Sequence, residues 1–230
     1  MRIMPVGDSM TVGSSGDFTW RYRLWQHLRA TAGPSSFHLV GPRTALYDKA
    51  ADAAVSQHYG DPSFPADARR HLAGWGEGWL HMAPVIRDAV TLHRPDLLLV
   101  FLGLIDLGFY TGPADTEANL RRFVAQARAA DPSLRMVFLP VLPNSRARTD
   151  PPFQEQVTDL NARMRDAVND LNTPASPLLL AQPPDPWHLP TDTYDGTHPT
   201  PRGEHRIAAA FATVLHTAWG VGGEYLVPAR

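Results

Sequence analysis

Hydrophobic positions along the chain fall into two alternating patterns. Short continuous apolar runs lie at "RIMPV" (2–6), "FHLVG" (37–41), "PDLLLVFLG" (95–103), "LRMVFLPVL" (134–142) and "SPLLLAQ" (176–182). Runs of that length without polar alternation predict strands buried on both faces. Between them lie longer segments whose apolar residues recur every three or four positions, the period of a helix. "FTWRYRLWQHLRATAG" (18–33) places Trp20, Leu24 and Leu28 on one face, and Gly33 and Pro34 close it. "WLHMAPVIRDAVTLH" (79–93) predicts a helix with Pro84 in its first turn, where a missing N–H is tolerated. "DTEANLRRFVAQARAAD" (115–131) and "FQEQVTDLNARMRDAVNDL" (153–171) are amphipathic, and "TPRGEHRIAAAFATVLHTAW" (200–219) starts with Thr200 as N-cap and Pro201 as first helical residue. Residues 42–74 have no clear period and predict an irregular connection with room for one short helix. The end of the chain, 219–230, predicts a loosely held tail.

Strands that alternate with helices imply a parallel sheet covered on both faces, a three-layer α/β/α sandwich. No repeat or linker divides the chain, so residues 1–230 are expected to form one domain. In such sheets ligands bind beyond the carboxyl ends of the strands. Four polar motifs fall there: "GDSM" (7–10), "GWGEGW" (74–79), "GLID" (103–106) and "YDGTHP" (194–199).

Composition narrows the chemistry. The 230 residues are 43% hydrophobic, enough for a sizeable core. The net charge of −2, with no block of one sign, lacks the footprint of a nucleic-acid partner. Cysteine is absent, which removes disulfides, thiolate metal sites and thiol catalysis. No stretch approaches the ~20 apolar residues of a membrane span. "MRIMPVGDSM" does not read as a signal peptide, because its apolar run is short and leads straight into a polar motif. A cytoplasmic protein without a membrane partner is the expectation, and composition does not address its oligomeric state.

A serine hydroxyl is a weak nucleophile that needs a base within hydrogen-bond reach, and the base needs an orienting group. Asp195 and His198 stand three apart, so one turn could set a carboxylate against one imidazole nitrogen and leave the other facing Ser9. The Asp and Thr before the Pro-initiated helix would also serve as ordinary capping residues. A phosphate-cradling loop fits less well, since "GDSMTVGSSG" lacks the lysine and spacing of a P-loop. No HExxH is present, and His205 reads as a helix-surface residue rather than a ligand. No metal and no cofactor are expected.

Taken together and in this order, "MPVGDSMTVG", "GWGEGW", Gly-x-x-Asp after the central strand and "DGTHP" resemble the GDSL, or SGNH-hydrolase, family of serine esterases and acyltransferases. The resemblance covers nearly the whole chain. It implies a flavodoxin-like sheet of five parallel strands in the order 2-1-3-4-5. It also implies Ser9 as nucleophile, His198 as base, Asp195 as its orienting carboxylate, and a glycine amide as partner to the Ser9 amide in binding the oxyanion. Gly78 is the best match for that glycine, with Gly76 and Gly74 nearby. The chain departs from the family in its third block, where an asparagine donor is expected and Ile105 stands. Either Asn144 substitutes, or two amides suffice at reduced rate, or the chemistry has moved away from ester hydrolysis. Asp8, Ile105, Trp75, Trp79, Phe109, Trp187 and Tyr194 are the expected lining of a substrate pocket, with Tyr110 beside them. The expected partner is a small ester or acyl substrate, hydrolysed or transferred through an acyl-enzyme. The alternative is a non-hydrolytic descendant that binds a ligand or does other chemistry in the pocket.

Overall fold

The structure, a computed structural model, describes residues 1–226. In chain order its elements are β1 (Arg2–Gly7), α1 (Ser9–Val12), α2 (Trp20–Thr31), β2 (His38–Leu39), β3 (Leu46–Asp48), β4 (Ala53–Ser56), β5 (Leu72–Ala73), α3 (Trp79–His93), β6 (Leu97–Phe101), α4 (Pro113–Ala130), β7 (Arg135–Leu139), α5 (Ser145–Thr149), α6 (Pro151–Leu171), β8 (Leu178–Leu180), α7 (Leu189–Asp192) and α8 (Pro201–Trp219). The main sheet is wholly parallel, in the order β2-β1-β6-β7-β8, which is the expected five-strand order. The two-residue β5 adds a sixth strand, paired to β1 beyond the end of β2.

Side-chain alternation along each strand divides the core. Ile3, Leu97, Leu99, Val137 and Leu139 point to one face, against Trp20, Leu24 and Leu28 of α2 and Phe211 and Leu215 of α8. Met4, Leu98, Val100, Met136 and Phe138 point to the other, against Met82 and Ile86 of α3, Phe123 of α4 and Met164 of α6. Both faces are closed, which is why these strands read as unbroken apolar runs. Each such side chain contributes roughly 1.5–3 kcal/mol by leaving water.

Several sequence expectations need correction. Residues 42–74 are not merely irregular: β3 and β4 form an antiparallel hairpin, a 3₁₀ turn spans Ala66–Arg69, and β5 joins the sheet. A small apolar cluster of Tyr22, Leu46, Tyr59, Phe64 and Ala68 holds this excursion to the body. Pro84 is the sixth residue of α3 rather than part of its first turn, because that helix already starts at Trp79. The final segment is not loose where it is described. Tyr225 hydrogen-bonds His205 at 2.8 Å and its ring lies 4.6 Å from that of His27, which in turn bonds the Gly223 carbonyl. Residues 227–230 lie outside the described residues. No helix among the described residues is long and apolar enough to cross a membrane.

Candidate active site

Three of the four polar motifs directly follow a strand at the carboxyl edge of the sheet, and the fourth, "YDGTHP", lies in the loop between α7 and α8. Gly7 ends β1 and Asp8 turns the chain into α1. The Asp8 side chain accepts the Met10 N–H at 3.0 Å, an N-cap that fixes the first turn and with it Ser9. Asp8 is therefore a buried cap and not a substrate contact. Burial pushes its carboxyl up to about 7, a rise that the Met10 hydrogen bond limits and the neighbouring Asp106 charge increases.

The loop before α8 carries the two partners of Ser9. His198 Nε2 lies 2.9 Å from Ser9 Oγ, and His198 Nδ1 lies 2.7 Å from Asp195 Oδ2. Asp195 Oδ1 accepts the N–H groups of Thr197 and His198 at 2.9 and 2.8 Å, so the carboxylate is held by the turn it caps. Partial burial raises the Asp195 pKa, but the hydrogen bonds from the His198 ring and from both backbone amides outweigh it and keep the group ionised below the usual range. Asp195 thus closes the turn of its own loop and contacts the His198 ring at once, while the cap of α8 itself is Thr200, whose hydroxyl accepts the Gly203 N–H at 3.3 Å. The His198 ring is stacked on Trp75 at 4.9 Å and 12°, and Trp75 is stacked on Tyr47 of the β3–β4 hairpin at 3.9 Å.

Ser9 and His198 open into a cavity of about 340 Å³. Its walls include Trp75, Leu104, Ile105, Phe109 and Phe153, with Asn144 and Arg146 as polar members. Of the expected lining, Trp75, Ile105 and Phe109 are there, and so is Asn144, the expected substitute donor. Trp79 is not: it is fully buried on the other face of the sheet, edge-on to Phe123 and Phe138. Trp187 packs against the apolar core instead. Tyr194 lies outside the cavity in an adjoining groove, its hydroxyl 3.0 Å from Ser14 Oγ and its ring stacked on His198 at 5.8 Å. Tyr110 is exposed, and its hydroxyl donates to the Gly76 carbonyl at 3.3 Å.

The glycine register also shifts. The Gly78 N–H donates to His81 Nδ1 at 3.1 Å, and Gly78 does not line the cavity. Gly78 instead lets the Asp106 carboxylate approach; that carboxylate accepts the Trp79 and Leu80 N–H groups at 2.9 and 3.1 Å and so caps α3. Gly76 does line the cavity. It sits at φ +72°, a conformation that glycine adopts without penalty, and its N–H has no partner among the described residues. The Ser9 N–H is likewise free. Asn144 uses Oδ1 to accept the Ala147 N–H at 3.0 Å, capping α5 and leaving its amide nitrogen unpaired among the described residues.

Sequence reasoning missed Arg146, Phe153, Leu104, Gly108 and Thr197. Arg146 was within reach of it, two residues after Asn144 in the loop that follows β7. Phe153 had no local signal, since its place follows from the angle at which α6 meets the sheet.

A serine hydroxyl, an imidazole and a carboxylate thus stand in hydrogen-bonded series at the carboxyl edge of an α/β/α sandwich. The family model for GDSL-like lipases and acylhydrolases matches residues 6–206, and the chain belongs to that family. It is an esterase or acylhydrolase by class. No curated protein matches it in sequence. Among solved structures it is similar to a mutant acetyl esterase holding an acetate ion, at 19% identity and a TM-score of 0.78, over 95% of this chain and 97% of that one. A family 3 carbohydrate esterase from Talaromyces cellulolyticus gives the same figures. A family 3 carbohydrate esterase from Clostridium thermocellum is 20% identical at a TM-score of 0.72, over 97% and 99% of the two chains. At such identities the likeness is one of fold.

Proposed function

We propose that the protein is a serine esterase that cleaves a small carboxylic ester through an acyl-enzyme. One observation carries this reading: the unbroken series Ser9 Oγ–His198 Nε2 and His198 Nδ1–Asp195, which opens into a cavity. Ser9 Oγ attacks the ester carbonyl while His198 Nε2 takes its proton. Asp195 fixes the tautomer that leaves Nε2 free to accept and stabilises the imidazolium that forms. The tetrahedral oxyanion is bound by the free N–H groups of Ser9 and Gly76. Gly76, rather than Gly78, takes the role of the family's second-block glycine. The imidazolium then protonates the leaving alcohol. Water, deprotonated by His198, attacks the acyl-enzyme, and His198 returns that proton to Ser9 Oγ as the acyl–oxygen bond breaks and the acid leaves. The modest cavity and the acetyl esterase among the similar folds support a short acyl group.

Ile105 supplies no donor at the position where the family has asparagine, so the site is a weaker oxyanion trap unless the Asn144 amide contributes. Ser9→Ala and His198→Ala should each remove measurable turnover of phenyl acetate while circular dichroism stays unchanged, and a fluorophosphonate should label wild type but not Ser9→Ala. Full activity in Ser9→Ala overturns the reading. Product analysis with an alcohol acceptor present separates hydrolysis from acyl transfer by the same acyl-enzyme.

A further inference from the structure

Apart from His198, Arg146 is the only ionisable side chain in the cavity lining among the described residues. Three contacts hold it. Its guanidinium lies 4.1 Å from the ring centroid of Phe153, itself a cavity residue. Nε donates to Asp150 Oδ2 at 3.1 Å, and Nη1 makes a long 3.4 Å contact to the Gly108 carbonyl. Nη2 has no hydrogen-bond partner among the described residues. Asp150 does not line the cavity, and its other oxygen is engaged by the Phe153 N–H as the cap of α6. The Arg146–Asp150 pair is exposed at 51% and 37%, so water screens it and leaves the guanidinium capable of a second anionic contact. The rest of the wall is aromatic, aliphatic or neutral.

From this placement we propose that the site is selective for esters bearing a carboxylate, which Arg146 binds through its free Nη edge while Ser9 attacks the ester carbonyl. The inference rests on the esterase reading and names the substrate class of that site. A planar guanidinium stacked on an aromatic ring and pinned at Nε is oriented before the ligand arrives, so little side-chain entropy remains to be lost. A charge-assisted pair of this kind is strong enough to change affinity by about tenfold or more. The carboxylate could be carried by the acyl chain, as in a dicarboxylic half-ester, or by the alcohol. The recognition chemistry is the same in both cases.

The test uses three probes: phenyl acetate, phenyl hemisuccinate with the carboxylate on the acyl side, and 4-acetoxybenzoate with it on the alcohol side. Turnover is measured on wild type, and binding of the unreacted esters is measured by calorimetry on Ser9→Ala. We expect one anionic ester to exceed phenyl acetate in kcat/KM, and in affinity for Ser9→Ala, by about tenfold or more. The probe that gains identifies the side that carries the charge. Arg146→Gln should bring the ratio of anionic to neutral kcat/KM close to one, Arg146→Lys should retain part of it, and added salt should compress it. Equal handling of all three probes by wild type, or an unchanged ratio in Arg146→Gln, overturns the proposal. If no ester is turned over, the esterase reading fails on its own, and the calorimetric comparison still decides whether Arg146 selects carboxylates.

Discussion

Ile105→Asn tests the logic of the oxyanion site most directly. Ile105 lies in helical backbone at φ −68° and ψ −39°, just after the Gly103 turn, and half-faces the cavity that holds Ser9. Asparagine fits that backbone, and the neighbouring Asp106 keeps its two hydrogen bonds to α3. Loss of a partly buried aliphatic side chain should cost about 1 kcal/mol of stability. A side-chain donor to the oxyanion is worth ~3–4 kcal/mol where it is native, or ~10²–10³ in turnover. An introduced donor is not pre-aligned, so the expected gain on phenyl acetate is ~10-fold or more. It should fall in kcat with KM nearly constant, because the charge it meets exists only in the transition state. If Asn144 already donates, Ile105→Asn should change little. Asn144→Ser, which keeps an oxygen for the Ala147 cap, should then cost most of the activity. A correctly folded Ile105→Asn at wild-type rate, together with a fully active Asn144→Ser, refutes the claim that a third donor is missing or supplied there.

Other expectations follow from single contacts. Asp8 has a carboxyl raised to about 7 from an ordinary 3.8, so the folded state holds its proton where the unfolded chain has lost it. Stability should therefore fall as pH rises from about 4 to about 7 and level off above, by on the order of 4 kcal/mol at most. Asp8→Asn, which keeps the cap on Met10, should abolish that fall, and thermal melts at pH 5 and pH 8 check it; equal gains at both pH values contradict the assignment. Gly78→Ala would set a Cβ 2.2 Å from Asp106 Oδ2, so it should lower Tm by several degrees through the cap of α3. Trp75→Ala should reduce kcat far more than Trp75→Phe, since an aromatic ring stacked on His198 holds the imidazole in its orientation toward Ser9; equal rates in the two variants would remove Trp75 from the mechanism.

The strands and the helices on both faces were legible in the sequence because each depends on short-range signals, whereas the strand order and the pairing of Ser9 with His198 and Asp195 came from the resemblance of the ordered motifs to a known family. Leu97 to Phe101 and Met136 to Leu139 must be buried on both sides, and only a central parallel strand satisfies that. "GDSM" and "DGTHP" are local turns whose functional groups sit within a few residues of a strand end or a helix start, so the sheet edge brings them together once it forms. Tertiary structure decided the rest. Nothing in "GWGEGW" says that Gly78 must yield to the Asp106 carboxylate, that Gly76 is the glycine left with a free amide, or that Trp75 turns to the site while Trp79, four residues on, turns to the core. Those outcomes depend on where α3 is capped, and the cap comes from a residue 27 positions later. The β3–β4 hairpin and the docked segment around Tyr225 had no period to betray them, because they are held by contacts to residues distant in sequence: Tyr47 to Trp75 and Gly13, and Tyr225 to His27 and His205. Arg146 and Phe153 met at the cavity wall for the same reason: the crossing of α5 and α6 over the sheet edge sets their positions, and packing between elements fixes that crossing more than any local sequence pattern does.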